Sequence, residues 1–140
     1  MMGVLRTLNL ALTVRDIEVS DLPTLAWSGS SLHVEQLSEH VRAADGSVDY
    51  IAAFLPTGEA LGKAEIDYVK RAGEAEIGSL AVHSLVQSQG IGSLLIEVAE
   101  QRIRARGLGS AVVGVEDDNP RAQRLYERLG YDVIGSKPDT

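Results

Sequence analysis

The chain has no cysteine among its 140 residues. This absence excludes disulfides, a thiolate zinc site and a cysteine nucleophile, so acyl chemistry through an acyl-cysteine is ruled out. The three histidines, His33, His40 and His83, show no metal-ligand spacing, and no metal is expected. No apolar run approaches the length of a membrane span. The opening MMGVLRTLNLALTV alternates Leu8, Leu10, Leu12 and Val14 in the period of a strand, which is poor signal-peptide material. No membrane partner and a cytoplasmic location are the resulting expectations. There is also no basic run, and with a net charge of −7 nucleic acid is not an expected partner. Repeats and low-complexity linkers are absent as well.

What is present fits one compact domain spanning residues 1–140: the length is typical of a single domain, and 44% hydrophobic with 24% charged residues is an ordinary globular balance. A strand is predicted at Leu8–Val14, a helix near Asp21–Ser28 opened by Asp21, and a second helical stretch over Leu32–Ala44. Val48–Leu55 and Ala60–Val69 flank Pro56-Thr57-Gly58-Glu59, which reads as a β-hairpin. Glu74–His83 makes a further long strand, a helix runs to Arg106, and Ser110–Val115 returns as a strand. A short helix and a final strand, Tyr131–Gly135, complete a mixed α/β sheet with helices on both faces.

Two constellations carry chemistry. The first is QSQGIGS, Gln87 to Ser93, between an apolar strand and an amphipathic helix. Gly90 and Gly92 have no Cβ, so backbone N–H groups at the helix start can approach an anion closely, and the helix dipole adds to the attraction. Behind the turn, Ile91, Leu94, Leu95, Val98, Ala99 and Ile103 mark a buried face, and Gly107 suits the position after the helix. No Lys-Ser or Lys-Thr follows Gly92, as a P-loop requires, and the third glycine of a dinucleotide fingerprint is missing. By itself the pattern fits an ordinary tight strand-to-helix turn equally well. The second constellation is a short punctuated helix: Asn119 as N-cap, Pro120 in the first position, Ala122, Leu125, Tyr126 and Leu129 on one face, and Gly130 at the end.

Together these residues resemble the GNAT superfamily of acetyl-CoA-dependent N-acetyltransferases, whose pyrophosphate loop reads Q/RxxGxG/A and whose later motif reads NxxAxxLYxxxGF/Y. Gln87, Gly90 and Gly92 fill the first; Asn119, Ala122, Leu125, Tyr126, Gly130 and Tyr131 fill the second. The run LTVRDIEVSDLPTLAW is similar to the family's first strand and helix. The resemblance implies a mostly antiparallel sheet of about six strands flanked by about four helices. It also implies a final strand that is short or missing, because family members normally continue past the equivalent of Tyr131–Gly135 into one more strand. An open sheet edge invites pairing with a second copy, so a homodimer is a possible partner arrangement.

The activity implied is acetyl transfer from acetyl-CoA to an amine by direct attack in a ternary complex. The resemblance places acetyl-CoA against Leu80, Ala81 and Val82, whose main chain would bind the acetyl carbonyl and pantetheine. The phosphates fall to Gln87, Ser88, Gln89, Gly90, Ile91, Gly92 and Ser93, with Asn119, Ala122 and Tyr126 completing the cofactor wall. Tyr126 matches the family tyrosine that faces the thioester sulfur and would protonate it; simple packing against the pantetheine arm is the alternative. Glu76 matches, in its spacing from the phosphate loop, the general base of certain histone acetyltransferases, while Glu65, Asp67 and His83 remain other candidates. Arg121, Arg124 and Arg128 either reach the CoA phosphates or line a solvent face.

The acceptor is barely encoded. Residues 1–75 carry 6 basic and 11 acidic side chains against 7 and 9 in residues 76–140, which mildly favours a cationic amine, although acidity also serves solubility. Two other readings stay open: a noncatalytic acyl-CoA-binding regulatory module, and an interaction subunit acting only in a complex.

Overall fold

A computed structural model describes residues 11–29, 31–43, 45–87, 89–115 and 120–131. Five strands form one sheet in sequence order: β1 (Thr13–Asp16), β2 (Val48–Phe54), β3 (Ala60–Arg71), β4 (Glu74–Val82) and β5 (Ala111–Val113). The first four pair antiparallel, and β5 joins β4 in parallel. A 3₁₀ helix over Val19–Ser28 and helix α1 (Ser31–Arg42) separate β1 from β2, α2 (Ile91–Ala105) connects β4 to β5, and α3 (Pro120–Arg128) follows. The expected Tyr131–Gly135 strand lies outside the described residues apart from Tyr131, as does the Leu8–Leu10 part of the first expected strand.

Strand alternation sorts the core into two layers. Ile51 and Ala53 of β2, with Ala64, Ile66 and Tyr68 of β3, meet Leu95, Ile96, Ala99 and Ile103 of α2 on one face. Ala52 and Phe54 turn the other way and meet Ile17, Leu25 and Leu37 beneath the 3₁₀ helix and α1. The helices therefore cover both faces, as the sequence pattern requires.

Local chemistry sets the joints. Gly58, at φ 92°, closes the β2–β3 turn, where its N–H donates to Leu55 O at 2.8 Å. Gly107, at φ 80°, ends α2, and Leu108 N–H reaches back to Ile103 O at 3.3 Å. Asp21 does not open its helix as expected. It sits three residues beyond the cap, accepts from Glu18 N–H at 2.7 Å, and takes both guanidinium nitrogens of Arg15 at 2.7 and 2.9 Å. That paired charge explains how Asp21 can be buried.

Candidate active site

The central irregularity is in β4. Its pairing with β3 steps from Glu65↔Gly78 to Lys63↔Ala81, so β4 carries one extra residue, and Ser79 adopts φ 51°, left-handed for a residue with a Cβ. The bulge turns the second half of β4 away from β5, which pairs only with Ala75, Glu76 and Ile77. The last bond across that seam is Gly114 N–H to Ile77 O at 2.8 Å. Beyond it the strands splay, and a cleft of about 570 Å³ opens.

One wall is the free side of β4, Leu80, Ala81 and Val82; the floor is the turn and start of α2, Gln87, Gly90, Ile91, Gly92 and Ser93; the far wall is α3, with Arg121, Ala122, Leu125 and Arg128. Trp27, from the 3₁₀ helix, closes one end, its indole N–H donating to Ala60 O at 3.2 Å and its ring tilted against His83 at 5.2 Å. His83 itself caps the short turn Ser84–Val86 by accepting from Leu85 N–H at 3.2 Å. Gln87 folds back to donate to Val82 O at 3.2 Å, tying the loop to the strand.

The floor suits an anion. Gly90 is the N-cap of α2 in the left-handed conformation at φ 88°, which sets the first N–H groups of the helix toward the cleft end. Those of Ile91, Gly92 and Ser93 have no acceptor within the helix geometry. Gly92 serves closeness instead: a Cβ there would come within 2.8 Å of Leu125 Cδ2, so its absence lets α3 lie against the opening turn of α2. Arg121 and Arg128 also border, with Arg124 and Glu127, a shallow depression beside the cleft.

Of the residues singled out in the sequence, Leu80, Ala81, Val82, Gln87, Gly90, Ile91, Gly92, Ser93 and Ala122 line this cleft, and Gln89 stands exposed in the turn beside Gly90. Ser88 and Asn119 lie outside the described residues. Tyr126 and Glu76 are not among the residues that line the cleft. One helical step past Leu125, Tyr126 is turned into the core, 3% exposed, edge-on to Tyr131 at 6.0 Å, and burial pushes its phenol up to about 12. Glu76 is five residues before Ala81, about 16 Å along an extended strand. Its carboxylate is held by Lys70 at 2.7 Å and Arg71 at 3.5 Å.

Glu65 accepts from Ser79 Oγ at 3.1 Å, and Asp67 accepts from the backbone of Val69 and Lys70. Trp27, Leu125 and Ser84 were not singled out as site residues, because a wall made by four separate elements has no sequence period. The same holds for a pair on the strand opposite Ala81: Lys63 Nζ lies 2.5 Å from His33 Nε2. Strand alternation through ALGKAEI could have signalled a charged residue facing inward. Among the described residues no group of three or more His, Asp or Glu is placed to hold a metal ion, and no helix is long and apolar enough to cross a membrane.

A splayed β4, a glycine-opened α2 and a covering α3 define an acyltransferase-type α/β architecture. The chain belongs to the acetyltransferase (GNAT) family, whose model matches residues 13–131. Among solved structures it resembles a transcriptional regulator from Bacillus halodurans C-125, with TM-score 0.77 and 21% identity over 93% of this chain and 99% of that one. It also resembles the PaiA N-acetyltransferase from Thermoplasma acidophilum in complex with coenzyme A, with TM-score 0.76 and 18% identity over 91% and 94% of the two chains. A ribosomal-protein-alanine N-acetyltransferase from Brucella melitensis biovar Abortus 2308 gives TM-score 0.76 and 16% identity over 93% and 98%. At these identities the likeness is one of fold. No curated protein matches the chain significantly.

Proposed function

We propose that this chain transfers an acetyl group from acetyl-CoA to an amine, the two substrates meeting in a ternary complex at the splayed end of β4. The observation that carries the reading is the cleft itself: an anion-ready helix start, a stretch of β4 beyond its last pairing with β5, and a covering helix, all around one volume. The start of α2 would take the pyrophosphate, with Arg121 and Arg128 within reach of further phosphate charge. Main-chain groups of Leu80–Val82 would hold the pantetheine and acetyl carbonyl, and donors there would stabilise the tetrahedral oxyanion. With both reactants held in place, much of the entropic barrier is removed.

Tyr126, which fills the tyrosine position of the family motif, would be the proton donor to the departing thiolate. Free-thiol release from acetyl-CoA with a panel of amines tests the proposal. Amine-dependent release that falls at least about 10²-fold in Tyr126→Phe supports transfer with Tyr126 as acid; no release with any amine overturns the reading.

A second reading has its own observation. Tyr126 is packed in the core and Glu76 is tied to two cations away from the cleft, as a module that binds acyl-CoA without turnover would tolerate. Calorimetric binding of acetyl-CoA together with absent thiol release selects it.

A further inference from the structure

Lys63 is the most buried charged side chain among the described residues, 4% exposed on the middle of β3, and it makes no ion pair among them. Its partner is another basic group, His33 of α1, with Nζ and Nε2 2.5 Å apart. Nitrogen atoms this close share a hydrogen, so at least one of them is unprotonated. A structural reason for the pair is hard to find, since an apolar residue at position 63 would avoid the desolvation cost altogether. Neither residue lines the cleft, but Lys63 is one strand away from a residue that does. Lys63 stands directly opposite Ala81 in the antiparallel ladder, and opposed residues project to the same face. Ala81 lines the cleft, as does Trp27 at the end of the 3₁₀ helix that leads into α1.

We propose that Lys63 and His33 form the base that deprotonates the acceptor amine, with Lys63 touching the substrate and His33 passing the proton on. The inference rests on the transferase reading above. The step balances simply. The acceptor ammonium gives one proton to the lone pair of the neutral Lys63 amine, leaving a free acceptor amine and a Lys63 ammonium. Lys63 then donates to His33 Nε2, and the partly exposed imidazolium gives a proton up to water.

The electrostatic setting agrees. Burial pulls the Lys63 ammonium down to about 8, with Glu65 on the same strand partly opposing it, and burial followed by the Lys63 charge pulls His33 down. Other titratable groups on this face of the sheet are Tyr50 on β2, which pairs with His40 of α1 at 2.9 Å and is held protonated by burial and by Glu65 and Asp67, and Arg15 on β1, which lies over the Phe54 ring and is paired with Asp21. At pH 7.5 about a quarter of Lys63 would be neutral, against about a thousandth of an ordinary lysine.

The test is the pH dependence of kcat/KM for an accepted amine in wild type, Lys63→Met, Lys63→Arg and His33→Gln, from about pH 6 to about pH 10. We expect Lys63→Met to lose about 10²-fold near pH 7 and to lose the rising limb centred near pH 8, with KM for acetyl-CoA unchanged. Lys63→Arg is equally slow, since a guanidinium cannot give up its proton. His33→Gln moves the limb to higher pH. Titration of the Lys63 Cε resonance in wild type supplies a readout independent of turnover, with a midpoint near 8 expected. Turnover with an unmoved profile in Lys63→Met, or a Lys63 midpoint in the ordinary lysine range, overturns the dyad alone. Absence of thiol release from wild type with every amine overturns the transferase reading and the base assignment with it.

Discussion

Replacing Gly92 by alanine is expected to change sign with its neighbour. In the wild-type background the new Cβ would stand 2.8 Å from Leu125 Cδ2, closer than carbon atoms pack, while Leu80 and Val82 at 3.8 and 3.9 Å are ordinary contacts. The overlap is with the far end of a flexible, partly exposed side chain on the cleft wall, so a rotamer adjustment of Leu125 relieves it at about 0.5–1.5 kcal/mol. Against this, alanine is a better helix residue than glycine by about 0.5–1 kcal/mol, less so in a first turn. The net effect is a loss of up to about 1 kcal/mol. In a Leu125→Ala background the clashing methyl is gone, and the same substitution should stabilise by about 0.5 kcal/mol. Denaturant unfolding of the four proteins closes the cycle, with acetyl-CoA binding measured in parallel, since Leu125 lines the cleft. Equal effects of Gly92→Ala in both backgrounds would refute the claim that this glycine exists for the approach of α3.

Three further outcomes follow from particular contacts. Leu95→Ala, at a fully buried site where α2 meets the sheet, should cost about 2–5 kcal/mol in thermal or denaturant unfolding. Asp21→Asn should cost about 1 kcal/mol at neutral pH, reduced from the full value of a charged hydrogen bond because Arg15 is partly exposed. Arg15 holds the Asp21 carboxyl below its ordinary value, so this contribution is present above the unfolded pKa and vanishes as pH falls through the folded one, and the two proteins should converge in acid. Lys63→Met should gain up to about 3 kcal/mol at pH 7, because a lysine held near 8 in the fold and near 10.5 in the unfolded chain weakens the fold wherever it is charged. That advantage should shrink as pH rises from 8 toward 10.5, and a gap that does not change with pH would argue against a depressed Lys63.

A fold stabilised by losing a residue commonly keeps that residue for function. The β4 bulge points the same way: Ser79 in a left-handed conformation is local strain next to the cleft, held by the Ser79–Glu65 hydrogen bond and the flanking ladder.

Much of this architecture was legible in the chain because it depends on short-range chemistry. Gly58 in its turn, Gly90 before α2, Gly107 after it and Pro120 at the head of α3 act on their immediate neighbours, and the alternation Ile51-Ala52-Ala53-Phe54 already divides the two core layers. The phosphate-type turn and its family resemblance are of this kind. Side-chain destinations across elements are not. Tyr126 occupies the expected motif position, yet the rotation of α3 about Ala122 and Leu125 sends its ring to the core; Glu76 has the expected spacing, yet Lys70 and Arg71 on the neighbouring strand hold it. Trp27 reaches the cleft from far upstream, and Lys63 meets His33 across 30 positions. Which segments become strands, helices and turns can be read along the chain, since propensity, capping and periodicity act over a few residues. Which side chains meet depends on how the elements pack, because a one-residue bulge or a single helical step of about 100° changes the face a side chain occupies without altering the local pattern.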